Sequence, residues 1–373
     1  MRVLLQSRTT LFSVPGGDTV QMRQTAAALE RAGCHATIST ELEPDLTGYD
    51  LVHLFNLTRP QELYLQARNA RRRGRALVLS PIYVSYRDYE RCARGGVAGW
   101  LARRLGPGKV EYLKILARAL RNSELNRGTA HLLLKGYGTL QRRVVELAGV
   151  LLPNSESEMA RARLDLPYLR LKPYVVVPNA VDHELFGPPP VGAAPNGEDR
   201  RCVLSVARID GLKGQLTLVR AMKGLPWPLV LIGKPAPNHL AYFEQVKREA
   251  GPNVRIIGEL NHAGLPPYYR AAKVHVLASW METTGLSSLE AGAQGCNLVI
   301  TDRGDTREYF GDQAYYCEPG SVASLREAII KAYEAPSDPL LSERILEHYT
   351  WDRAAQRTLE GYRLALDQGG LSC

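Results

Sequence analysis

The chain has 373 residues, 45% of them apolar and 23% charged, and its formal net charge is +9. That length is too great for one ordinary core and predicts two domains of globular composition. The six cysteines, at 34, 92, 202, 296, 317 and 373, form no C-x-x-C pair, so neither a zinc site nor a disulfide framework is indicated, and no apolar run reaches the ~18 residues of a membrane span.

The opening Met1-Arg2-Val3-Leu4-Leu5 has too short an apolar core for a signal peptide, and a soluble cytoplasmic protein is expected. Residues 3–5 read as the first strand and lead into Val14-Pro15-Gly16-Gly17-Asp18 and a helix over 18–31. Gly16 and Gly17 allow a ligand to approach the backbone closely, although a bare Gly-Gly turn is also a structural device. The turn is not a G-x-G-x-x-G, so a nicotinamide cofactor is not supported. Further strands are predicted at 35–38, 51–54, 76–79, 150–152 and 174–177, with helices at 60–73, 109–121 and 129–148. Strands alternating with helices predict a parallel, doubly wound sheet. Tyr83, Tyr86 and Tyr89 follow the fourth strand and offer both a stacking face and a hydroxyl to an acceptor, or pack internally.

Between residues 91 and 143 twelve Lys and Arg stand against only Glu111 and Glu124, so this stretch carries the whole charge surplus. Trp100, Leu101, Leu105, Leu113, Leu116 and Leu120 form an apolar stripe beside Arg103, Arg104, Lys109, Lys114, Arg118 and Arg121. Such a segment suits an anionic bilayer surface; a solvated charge face is the plainer reading. A nucleic-acid binder is a third reading, but the stretch lacks an interleaved aromatic platform.

A Pro- and Gly-rich piece at 186–197 reads as the best linker in the chain. The alternation then restarts, with strands at 202–206, 229–232, 254–257, 274–277 and 298–301 and helices at 215–222, 240–249, 265–271, 286–294 and 324–334. The expected fold class is α/β: two Rossmann-like, doubly wound domains facing each other across a cleft, with ligands at the sheet ends.

Two loops of the second half carry the chemistry. Strand 202–206 runs into Ala207-Arg208-Ile209-Asp210-Gly211-Leu212-Lys213-Gly214, so Arg208 and Lys213 flank a strand-to-helix loop. Two cations at one sheet edge can hold a diphosphate, Arg through a bidentate fork and Lys as a point charge. Strand 274–277 leads to Glu282-Thr283-Thr284-Gly285-Leu286, with Glu290 just inside the following helix. Unpaired N–H groups at a helix start favour an anion, and carboxylates beside them suit hydroxyls; a nucleotide sugar carries both. Read singly, Arg208 also fits a sheet-edge cap, Lys213 a solvated lysine and Glu290 a surface helical residue.

These residues resemble the retaining glycosyltransferases of the two-Rossmann GT-B fold, family 4 (glycosyl transferases group 1). Gly16-Gly17 is similar to that family's first glycine-rich loop, and Pro178-Asn179-Ala180-Val181-Asp182 to its P-N-G-V-D crossing between domains. Arg208 with Lys213-Gly214 resembles its G-R…K-G, and Glu282-Thr283-Thr284-Gly285-Leu286 through Glu290 its E-G-F-G-L within E-x7-E. Trp351 and the helix after it resemble its final helix. The resemblance implies an acceptor-side domain at 1–180, a nucleotide-sugar domain at 181–350, and a helix at 351–373 that packs back on the first domain.

The resemblance also implies roles. Arg208, Lys213 and Glu282 are the catalytic set, the cations on the donor diphosphate and Glu282 on hydroxyls of the transferred sugar. Gly16, Gly17, Thr284, Gly285 and Leu286 bind the donor, Glu290 takes the ribose hydroxyls, and the base lies near Ile257. Tyr83, Tyr86 and Asn179 fall on the acceptor side. The implied reaction is sugar transfer from a UDP- or GDP-linked donor to an acceptor hydroxyl, on a lipid-linked or polysaccharide-precursor acceptor at the inner face of the membrane. No D-x-D occurs in the sequence, so no cofactor and no metal are expected. A nucleotide-sugar epimerase and a phosphorylase are the alternatives within the fold. There are departures: 79–86 lacks the family's histidine near the reacting carbon, Thr283-Thr284 replaces Gly-Phe, and Ala180 replaces a glycine. His53, at the end of the preceding strand, reads as structural.

Overall fold

Short apolar runs build the first sheet: β1 (Arg2–Gln6), β2 (His35–Ser39), β3 (Leu51–Phe55), β4 (Ala76–Ser80) and β5 (Val150–Leu151). The computed structural model describes residues 1–84, 127–187 and 200–369. The predicted helix 109–121, Tyr86, Tyr89 and most of the basic stretch lie outside the described residues. The sheet order is β2-β1-β3-β4-β5, all parallel. Every residue of β3 is buried, as befits a central strand with helices on both faces. The first unit's described helices are α1 (Gly17–Arg31), α2 (Pro60–Arg72), α3 (Arg127–Lys135), α4 (Tyr137–Leu147) and α5 (Glu156–Asp165).

Two predicted elements differ. The helix expected over 129–148 is two helices, because Gly136 takes φ +80 and breaks the ladder. The strand expected at 174–177 reduces to an isolated bridge between Tyr174 and Leu151.

The second unit holds α6 (His183–Phe186), β6 (Cys202–Val206), α7 (Gln215–Ala221), β7 (Leu229–Ile232), α8 (Leu240–Glu249) and β8 (Val254–Gly258). It continues with α9 (Pro266–Ala271), β9 (Ala272–Leu277), α10 (Leu286–Ala293), β10 (Asn297–Thr301) and α11 (Thr306–Phe310). Last come β11 (Tyr315–Cys317), α12 (Val322–Glu334) and α13 (Pro339–His348). Its sheet is parallel, in the order β11-β10-β9-β6-β7-β8. β6 and β9 are therefore neighbours from which the connections run in opposite directions, and loops at their carboxyl ends border a crevice. β11, which sequence reasoning missed, is only three residues long and shows no usable alternation.

The chain passes from the first unit to the second between Asn179 and Ala180 and returns after Thr350. Val181 pairs with Thr350, and its N–H donates to Tyr349 O at 2.8 Å. Most of the linker expected at 186–197 lies outside the described residues. The final helix, α14 (Trp351–Gly369), belongs to the first unit. It buries Trp351, Ala354, Ala355, Thr358, Tyr362 and Ala365, a stripe at helical spacing. Gly361 sits so close to the core that a Cβ there would lie 2.4 Å from Leu152 Cδ2. No helix among the described residues is long and apolar enough to cross a membrane.

Each unit encloses one histidine. His53 on β3 shares hydrogen bonds with Tyr362 Oη (2.8 Å) and Ser80 Oγ (2.9 Å), which makes it a core residue. His275 on β9 is wholly buried, and among the described residues neither of its ring nitrogens has a hydrogen-bond partner. Burial pulls both imidazoles down to about 3. In the unfolded chain both titrate near ~6.5. Below that pH the unfolded state takes up protons that the folded state refuses, so stability falls from pH 6.5 toward 3. Denaturant midpoints should be flat between pH 7 and 8. Between pH 6 and 4 they should fall, the unfolding free energy declining by about 1.4 kcal/mol per pH unit for each histidine, and His275→Phe should flatten the second unit's share.

Candidate active site

The loop after β6 is fixed before either of its cations is considered. Ile209 N–H donates to Lys234 O at 2.9 Å, and Ala236 N–H to Ile209 O at 3.1 Å. Gly233, at φ +147, admits the loop: a Cβ there would sit 1.9 Å from Ala207 O. Gln215, buried at the start of α7, donates to Arg208 O at 3.0 Å. Asp210 accepts from Arg208 Nε (2.8 Å) through Oδ2 and from Lys213 N–H (3.1 Å) through Oδ1. Arg208 is exposed, and among the described residues its terminal Nη groups carry no hydrogen bond.

The loop after β9 meets it. Trp280 N–H donates to Leu212 O at 2.9 Å. Gly214, at φ +74, lies so close that a Cβ would stand 2.4 Å from Ala278 O. This contact brings Lys213 Nζ onto Glu282 Oε1. The Glu282 main chain is held in turn by the loop after β10: Asp305 N–H donates to Glu282 O at 3.1 Å, and a Cβ on Gly304 would overlap that oxygen at 1.8 Å.

Beyond Glu282, Thr284 is buried and Gly285 takes φ +79 as the N-cap of α10. Leu286 opens the helix half-buried, and Glu290 lies one turn on, facing inward. Both Glu290 oxygens are engaged, Oε1 with His262 Nε2 and Oε2 with Tyr269 Oη, each at 2.7 Å. Phe186 stands edge-on to both rings, with centroids 4.8 and 5.7 Å away. Burial lowers the His262 pKa, but the hydrogen bond and charge of Glu290 outweigh it and leave the imidazole above its ordinary value. Burial, joined by the Glu290 charge, holds the Tyr269 hydroxyl protonated. A carboxylate has about four acceptor sites, so Glu290 keeps capacity for ligand hydroxyls.

Arg208, Lys213, Glu282, Thr284, Gly285, Leu286 and Glu290 thus gather at the carboxyl ends of β6 and β9. Ile257 stands near the end of β8, the edge strand, with β7 between it and β6. The remaining candidates belong to the first unit. Gly16 caps α1 in an extended conformation, and a Cβ on Gly17 would meet open space. Arg8 grips Asp18 through Nε (2.8 Å) and Nη2 (3.0 Å), and Asn56 Nδ2 donates to the same carboxylate at 3.1 Å. Burial raises the Asp18 pKa, but these bonds prevail and hold it below the usual carboxylate value. The Tyr83 hydroxyl donates to Asp165 Oδ2 at 2.7 Å, and Asn179 is buried at the unit's boundary. Sequence reasoning missed Asp210, His262 and Tyr269. The acid between two bases in Arg208-Ile209-Asp210-Gly211-Leu212-Lys213 was a legible signal. His262 and Tyr269 reach Glu290 from 28 and 21 residues away and left no local trace.

The chain is similar to known proteins. Residues 193–347 match the family described as glycosyl transferases group 1. The D-inositol 3-phosphate glycosyltransferase of Kineococcus radiotolerans is 28% identical over 307 residues, 73% of this chain and 69% of that protein. Its namesake from Kribbella flavida is 28% identical over 251 residues, 61% of this chain and 59% of that protein, so the chain spans under two thirds of the latter relative. Among solved structures, sucrose-phosphate synthase from Thermosynechococcus elongatus aligns over 100% of this chain and 98% of its own, with a TM-score of 0.66 and 18% identity. Anabaena HepE in complex with UDP and glucose aligns over 97% and 99%, with a TM-score of 0.65 and 15% identity; at such identities the likeness speaks for the fold. Two parallel α/β sheets of these orders are the GT-B fold of these solved structures, and the sequence matches are to glycosyltransferases. The likeness to glycosyl transferases group 1 lies at residues 193–347, within the second unit.

Proposed function

We propose that the protein is a retaining glycosyltransferase that moves a sugar from a nucleoside-diphosphate sugar to an acceptor hydroxyl. The observation that carries this reading is the Lys213–Glu282 ion pair at the ends of β6 and β9, with Arg208 tied through Asp210 to the same loop as Lys213. Arg208 would offer its terminal nitrogens to phosphate oxygens. Lys213 has three donors and can keep Glu282 while reaching a second oxygen. Charge grows on the diphosphate as the anomeric bond breaks, and these cations would stabilise it, the part a metal plays elsewhere. Glu282 would hold hydroxyls of the moving sugar and Glu290 those of the ribose. The acceptor hydroxyl would attack from the leaving-group face and give its proton to the departing phosphate.

The relatives named for inositol 3-phosphate and the HepE complex with UDP support a sugar donor of the uridine class and a hydroxylated acceptor. We take that acceptor to be a lipid-linked or polysaccharide-precursor glycan, reached through the basic stretch at 91–143. A thermal-shift panel of UDP-, GDP- and ADP-sugars, followed by NMR of the product's anomeric proton, tests the reading. One donor should raise the melting temperature and yield a product of the donor's own anomeric configuration; an inverted product, or no shift with any donor, would refute it.

A further inference from the structure

We propose that Asp210 is the positioning residue of the diphosphate-binding loop, a single carboxylate that sets the direction of Arg208 and the start of the turn carrying Lys213. This rests on the reading of Arg208 and Lys213 as ligands of the donor diphosphate. The geometry behind it is specific. Asp210 is 3% exposed, although it lies between a solvent-facing arginine and a partly exposed lysine. A buried carboxylate is tolerated only when its oxygens are satisfied, and here each takes a different partner: Oδ2 the Arg208 Nε and Oδ1 the Lys213 N–H. Gln215 completes the frame, its Oε1 accepting from Asp210 N–H at 3.3 Å and its Nε2 donating to Arg208 O at 3.0 Å.

The use of Nε matters. A guanidinium bound through Nε alone keeps its Nη pair for a bidentate grip on another anion. It also enters the complex with part of its rotamer freedom already removed. Asp210 does not touch the donor; it acts through Arg208 and through the backbone of Lys213. Asparagine at this position can accept the Lys213 N–H through one atom. Its other atom, an amide NH2, then faces the Arg208 Nε–H, and donor meets donor. Asp210→Asn should therefore keep the turn and release the guanidinium.

The test is a double-mutant cycle read on affinity. Titration calorimetry would compare the best-bound of UDP, GDP and ADP with its parent nucleoside, on wild type, Asp210→Asn, Arg208→Ala and the double variant. Asp210→Asn should weaken the diphosphate about 10-fold or more and leave the nucleoside unchanged, since a loop that merely unravelled would lose both. In the Arg208→Ala background the same change should have less than about a threefold effect, because the two residues act as one unit. Diphosphate affinity equal to wild type, or losses that multiply independently, would overturn the proposal. Should Asp210→Asn fail to fold, Asp210→Ser retains an acceptor for the Lys213 N–H; failure of both to fold would make Asp210 a folding residue and also overturn it. A wild-type protein that prefers no diphosphate over its nucleoside would instead remove the underlying reading, so the two failures are distinguishable.

Discussion

Lys213→Ala and Arg208→Ala should each lower kcat/KM by about 10²–10³-fold, the loss expected when one donor to a developing oxyanion is removed, about 2.7–4 kcal/mol. The effect should fall on kcat as well as KM, because the charge these groups meet grows in the transition state. The two differ in stability. Arg208 is exposed and its removal strands only Asp210, whereas Lys213→Ala leaves the largely buried Glu282 without its ion-pair partner, a costly change. The melting temperature should fall more for Lys213→Ala. Combining it with Glu282→Gln should restore stability without restoring turnover. Recovery of turnover in that double variant would show that Lys213 serves only to neutralise Glu282.

The second large effect is expected at a residue with no side chain. Gly214 and Gly224 have nearly equal φ, +74 and +75, but a Cβ on Gly214 would meet Ala278 O at 2.4 Å while one on Gly224 would meet nothing within 4 Å. Gly224→Ala therefore reports conformational strain alone, about 1–2 kcal/mol. Gly214→Ala adds a backbone collision that parts the two loops and draws Lys213 away from Glu282. It should destabilise by more than Gly224→Ala and lower turnover by at least about 10-fold, while Gly224→Ala leaves turnover unchanged. Urea unfolding and initial rates on the pair decide this; equal activity in both would mean that the approach of the loops is not needed.

The sequence was most informative where the physics is local. Strand runs such as Val203-Leu204 and, but for His275, Val274 to Leu277 are apolar because both sheet faces are covered, and they appeared at once. Arg208, Lys213, Glu282 and Glu290 were legible because each follows a strand or opens a helix. What escaped was non-local or very short. The two bonds on Glu290 come from another loop and another helix. His53 was read as structural, but its partners Tyr362 and Ser80, 309 and 27 residues on, were not legible. The break at Gly136 was hidden in a continuous apolar period. Gly214 was marked only by its place in the K-G pair, and Gly233 and Gly304 by nothing; the backbone atoms facing all three show why no side chain fits.

A crystal structure of the protein with its best-binding nucleoside diphosphate should show phosphate oxygens within about 2.7–3.2 Å of the Arg208 Nη groups and Lys213 Nζ, a hydrogen-bond distance, with Asp210 still on Arg208 Nε and the ribose on Glu290. A diphosphate bound elsewhere, with Lys213 and Arg208 making no contact to it, would refute the assignment of these two cations to the donor.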